Sequence, residues 1–110
     1  MAALEFWFRA NQSFRKTLTH PITIPKGQIA HTSMVEAKLH DGVFTIVLPR
    51  GERMNAEMCF GTSGRGPYYQ LRSRGADRSL PEYIENNDLL LVILVRFQSK
   101  NYAFLENVGT

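Results

Sequence analysis

A chain of 110 residues fits one domain, and its 44% hydrophobic and 11% aromatic content is enough to bury a core. The longest apolar run, LLLVILV from Leu89 to Val95, is far too short to span a membrane. No secretion signal opens the chain and the single Cys59 rules out an internal disulfide, so a reducing, intracellular compartment is expected. A net charge of +3 is too small by itself to name an acidic partner.

Residues 4–10, LEFWFRA, alternate: Leu4, Phe6 and Phe8 share one face, and Glu5, Trp7 and Arg9 the other. That pattern, rich in aromatics, predicts a strand. Residues 11–21 show no period and read as a long loop. Ile22 to Ile24 make a short β-branched strand, and Pro25 suits the first turn of a helix predicted over Lys26 to His31. Val35 to Leu39 either pairs or crosses the surface before a turn at His40-Asp41-Gly42. Val43 to Leu48 reads as a buried strand, Pro49 to Glu52 as a turn, and Met54 to Phe60 as the returning strand. Gly61 to Pro67, GTSGRGP, is a second loop, followed by an aromatic strand from Tyr68 to Leu71. Ser79, Pro81 and Glu82 carry the signature of a short capped helix, ended by a turn at Asn86-Asn87-Asp88. Leu89 to Phe97 is the most buried strand; Gln98 to Asn101 turn, and Tyr102 to Leu105 close the sheet. About seven strands and two short helices make a mainly β, mostly antiparallel barrel or sandwich. One domain is expected over residues 1–110, with its core at about 4–106.

Charge is distributed unevenly along this frame. No acid falls between Glu5 and Glu36, a window holding Arg9, Arg15, Lys16 and Lys26, and none between Glu57 and Asp77, which holds Arg65, Arg72 and Arg74. These windows carry 7 of the 13 basic residues, leaving six bases against ten acids elsewhere. If the two segments meet in space they form a positive surface suited to a polyanion. The alternative is a pair of solvated loops from which acids are missing by chance.

Catalytic chemistry is poorly represented. Cys59, between Met58 and Phe60, reads as a small buried thiol rather than a nucleophile. His20, His31 and His40 lack metal-ligand spacing, and no paired carboxylates suggest a nuclease metal site. GTSGRG lacks the Lys-Ser ending of a phosphate-binding loop and precedes a strand. No catalytic residue, metal or cofactor is therefore expected. The polar set Arg9, Asn11, Gln12, Ser13, Arg15, Lys16, Thr17, Thr19 and His20 is different in kind. Arginine matches guanine and asparagine or glutamine match adenine in the major groove, while serine and threonine suit phosphate oxygens. Thr62, Ser63 and Arg65 stand among glycines that let a backbone approach a ligand.

A strand, a long polar loop, then ITIPK leading to a helix resembles the start of the B-three DNA-binding domains of plant transcription factors. FTIVLPRGERMNAEMCF is similar to that family's strand, turn and strand. GTSGRGPYYQL resembles its second arm and following aromatic strand, and SLPEYIENNDLLLVIL its short helix, turn and long strand. Asn87-Asp88 stands where the family commonly has Gly-Asp. The resemblance covers roughly residues 5–105. It implies a seven-stranded open pseudobarrel with two short helices, a fold also used by the DNA-recognition domains of some restriction endonucleases. The Gly-Trp often found after the second arm is replaced by Arg74-Gly75, and Val35 to Gly42 add length. These departures, with a first strand almost at Met1, point to the restriction-enzyme branch.

The function the resemblance implies is sequence-specific binding of double-stranded DNA by two loop arms in the major groove, with Arg9, Lys26, Arg72 and Arg74 flanking the arms and holding phosphates, and no membrane association. The isolated domain is expected to be monomeric, in the cytoplasm with a prokaryotic nucleoid, or nuclear if plant-type. A catalytic nuclease domain could belong to the same polypeptide. The other readings are a B-three-like or swapped-hairpin transcriptional regulator, a nuclease in its own right, and a protein-interaction barrel.

Overall fold

The structure, a computed structural model, describes residues 3–16, 20–25, 27–63, 66–73 and 83–109; for residues 13, 62, 63, 66 and 67 it describes the backbone alone. The described residues form seven strands: β1 (Ala3–Arg9), β2 (Ile22–Thr23), β3 (Gly42–Val47), β4 (Arg53–Ser63), β5 (Gly66–Ser73), β6 (Leu89–Phe97) and β7 (Lys100–Gly109). Two short helices accompany them among the described residues, α1 (Gln12–Lys16) and α2 (His31–Glu36). The strands join in one sheet in the order β1-β6-β7-β3-β4-β5-β2, every pair antiparallel except β3 with β7. The sheet curls into a nearly closed barrel whose seam lies between β1 and β2. This is the mainly β, seven-stranded open architecture expected from the sequence.

Period-two alternation decides what faces inward. Phe6 and Phe8 of β1, Phe44 and Ile46 of β3, Met54, Ala56 and Met58 of β4, and Leu90, Val92 and Leu94 of β6 are all buried in one core. Fully burying each of these side chains except the small Ala56 contributes about 1.5–3 kcal/mol. At the open seam an edge strand would leave backbone groups unpaired. Gln28 answers part of this: the Trp7 N–H donates to Gln28 Oε1 at 2.8 Å, and Gln28 Nε2 donates to the Trp7 carbonyl at 3.0 Å. One side-chain amide thus takes the place of a partner residue in a strand.

Helix positions differ from those predicted. Lys26 lies outside the described residues, but the expected helix over Lys26 to His31 does not form in its described part. Gly27 adopts φ +88, in the left-handed region, and Gln28 N–H donates to the Pro25 carbonyl in a tight turn. The helix begins instead at His31 and buries Met34. It ends with Lys38 in the left-handed conformation (φ 58), Leu39 N–H reaching the Met34 carbonyl and Lys38 N–H the Val35 carbonyl. That closure satisfies two orphan carbonyls and drives Leu39 into the core. Val35 to Leu39 are therefore the end of a helix and its cap. Within the predicted long loop, residues 12–16 are helical, because Asn11 caps them: its Oδ1 accepts the Phe14 N–H at 2.9 Å. The helix predicted from Ser79 begins on residues 79–82, outside those described.

Candidate nucleic-acid interface

Strand directions locate the two basic segments. If β1 points up, the pairings make β5 also point up, and β2 and β4 down. The β1–β2 connection then lies at the top of the barrel and the β4–β5 turn at the bottom. The two arms stand at opposite ends of the β2–β5–β4 surface rather than side by side.

The upper arm is anchored by an aromatic. Phe14 is buried and meets Phe8 edge-on, with ring centroids 5.5 Å apart. Burying Phe14 turns Gln12 and Lys16 to solvent, while Asn11 spends its side-chain oxygen on the cap. His20 is fully buried, with φ 44, and its ring packs edge-on to Phe14 at 5.9 Å. Expected as a donor to DNA, it is a core residue that turns the chain into β2. Thr17 and Thr19 lie outside the described residues, as does the side chain of Ser13.

Residues 83–88, which lead into β6, brace the base of this arm at the end of β1. Ala10 N–H donates to the Asp88 carbonyl and Asn87 N–H to the Ala10 carbonyl, both at 2.9 Å. Arg9 Nη1 donates to the Asn87 carbonyl at 2.7 Å. Asn87 adopts φ 71, which asparagine tolerates better than most residues. Asp88 is buried; its Oδ2 accepts the Glu85 N–H and Asn107 Nδ2, each at 2.8 Å. The same segment carries Glu85 to 3.7 Å from Arg15. Acids absent from the arm in sequence are thus partly restored in space.

Between the arms, the outward residues of β2 and β5 form a hydrogen-bonded row. Gln70 Nε2 donates to Thr23 Oγ1 at 3.2 Å, and Gln70 Oε1 accepts Arg72 Nε at 3.0 Å and Nη2 at 2.7 Å. Arg72, expected as a phosphate contact, is exposed, and its two hydrogen bonds to Gln70 hold it in one orientation. Glu57 is its cross-strand neighbour on β4. The sequence reading missed Gln70 as the residue that fixes Arg72; a polar side chain two places before an arginine on a strand is the only local signal.

At the lower end, β4 and β5 continue as a paired hairpin to Ser63 and Gly66, so most of the predicted second loop is strand. Arg65, at its tip, lies outside the described residues, as do Lys26 and Arg74, and the side chains of Thr62 and Ser63 are not described. Gly61 is small for a local reason: a Cβ there would sit 2.9 Å from Cζ and Oη of Tyr68, whose ring covers it. Beside the hairpin, Tyr69 shares a short hydrogen bond with Nδ1 of His31, and Phe60 stacks on His31 at 5.0 Å. Burial, aided by the Asp41 carboxylate, holds the Tyr69 phenol above its ordinary pKa. These rings stand next to a cleft of about 270 Å³ that His31, Tyr68 and Tyr69 line with Ile24 and Pro25.

Among the described residues no three His, Cys, Asp or Glu side chains gather in a group that could hold a metal ion, and no helix is long and apolar enough to cross a membrane. No protein-family model and no curated protein matches the sequence.

Proposed function

We propose that this chain is a sequence-specific double-stranded DNA-binding domain of the B-three-like type, acting as the target-recognition part of a restriction endonuclease whose catalytic domain lies elsewhere in the polypeptide. The observation that carries the reading is the Thr23–Gln70–Arg72 row: an arginine fixed on an outer sheet surface that has a basic arm at each end. A duplex laid across that surface would meet Arg72 at its phosphates and the arms in its grooves. Gln12, exposed on α1, and Arg65 would read base edges, and Lys16 would hold the backbone. A swapped-hairpin regulator draws less support, because β1 to β7 complete their sheet within one chain.

Selection from a random duplex library, followed by anisotropy titrations over a range of salt, tests the reading. Gln12→Ala or Arg65→Ala lowers discrimination between selected and scrambled sites, each by about 1–3 kcal/mol. Arg72→Ala weakens binding to all sequences alike and reduces the salt slope by about 0.9. Unchanged affinity in an Arg15→Ala, Arg65→Ala double variant would sink the proposal.

A further inference from the structure

The opposite side of the barrel carries an apolar surface that DNA binding does not use. Along β6, Leu91, Ile93, Val95 and Phe97 point outward. Beside them on β7 stand Tyr102 and Phe104, and beyond those Val47 of β3. Phe97 is 51% exposed and Phe104 41%. A shallow hollow of about 430 Å³ opens among Val47, Arg53, Val95, Phe97, Tyr102 and Phe104. Contiguous apolar surface of this kind on a folded domain marks a contact site.

The charges on β7 identify what covers it. From Lys100 to Glu106 the outward positions run Lys100, Tyr102, Phe104, Glu106: a cation, two aromatics and an anion, evenly spaced about Ala103, with Val108 beyond them. Such a row complements its own reverse. Two copies facing each other across a two-fold axis that passes over Ala103, perpendicular to the strand, set Lys100 of each against Glu106 of the other. The same operation lays Tyr102 on Phe104, and on β6 it lays Ile93 on Val95 and Leu91 on Phe97. The aromatic and aliphatic residues of β6 from Leu91 to Phe97 and of β7 at Tyr102 and Phe104 are covered, Val47 of β3 meets Thr45, and both charged ends are paired, which is the arrangement an isologous interface needs. We infer that the chain forms a symmetric face-to-face homodimer through the outer surface of β6, β7 and β3, in place of the monomer expected from the sequence. The inference stands independently of DNA binding.

Charge exchange at two exposed positions tests it without disturbing the core. Sedimentation equilibrium of the full chain should give a dimer at micromolar concentrations. Lys100→Glu or Glu106→Lys each creates two like-charge pairs per dimer and should weaken association roughly tenfold. The Lys100→Glu, Glu106→Lys double variant restores both pairs and should associate like the wild type. An equimolar mixture of the two single variants should form heterodimers more tightly than either variant self-associates. Far-UV circular dichroism verifies that each variant is folded. A wild-type chain that stays monomeric at every concentration overturns the inference and leaves the surface to a different protein or a further segment of the polypeptide. A double variant no tighter than the singles overturns it as well.

Discussion

Gln28→Ala removes both hydrogen bonds that the side-chain amide makes across the open seam. The Trp7 N–H and carbonyl it pairs with belong to an edge strand, so in the variant water can reach them. Each bond then counts at its net value, in the lower half of about 0.5–1.5 kcal/mol because the site is exposed. The expected loss is about 1–2 kcal/mol. In urea the midpoint should fall with an unchanged slope, because no extra surface is exposed on unfolding. In a domain of this size each kcal/mol moves the thermal midpoint by roughly 4–8 °C. Hydrogen exchange gives the sharper readout: the Trp7 amide should lose protection, while Phe6 and Phe8, whose amides point to β6, keep theirs. Gln28→Glu should do no better than alanine, because it keeps an acceptor for the Trp7 N–H but sets a second oxygen against the Trp7 carbonyl. A midpoint shift below about 0.3 kcal/mol, with Trp7 exchange unchanged, would refute the idea that Gln28 stands in for a strand.

Asp88→Ala strands the Glu85 N–H and Asn107 Nδ2 in a buried site, with an expected cost of about 2–4 kcal/mol by urea unfolding and a loosened upper arm by hydrogen exchange at Ala10. Alkaline pH should destabilise the fold through Tyr69. Its native pKa lies above the unfolded value near 10.0, so the native state binds more protons as pH rises past that value. The stabilisation is complete below the unfolded pKa and is lost as pH climbs through the native one. Urea midpoints of the wild type should therefore decline more steeply with alkaline pH than those of Tyr69→Phe; equal slopes would contradict it.

The strands were legible because alternation is a local signal: Phe6 and Phe8 against Trp7 and Arg9, or Leu90, Val92 and Leu94 against their neighbours. What escaped depends on partners distant in sequence or on single backbone angles. Gln28 acts on Trp7, 21 positions away, and Gln70 links Thr23 to Arg72 across two strands. The left-handed turn at Gly27 displaced the predicted helix, although a glycine two places after Pro25 was there to be read. The helix at residues 12–16 is five residues long and has one apolar anchor, Phe14, too little for any periodicity to show. Its signal was the cap, an asparagine three residues before a phenylalanine. Charge was legible only in part: the acid-free windows are real, but folding brings Glu85 to Arg15 and Glu57 across from Arg72.

The two proposed surfaces constrain each other. The DNA surface is the outside of β2, β5 and β4; the self-association surface is the outside of β6, β7 and β3, around the barrel wall from it. Occupying one leaves the other open, and the dyad that joins two chains also relates their DNA surfaces. Two recognition units related by a two-fold axis read inverted half-sites, with a spacing set by the dimer. The sequences selected from a random library therefore carry information about assembly as well as about base contacts. A two-fold symmetric consensus that becomes a single half-site when Lys100→Glu weakens the dimer requires both surfaces to act as proposed. A short asymmetric consensus, unchanged by that substitution, fits DNA recognition by one chain alone and separates the fate of the two proposals.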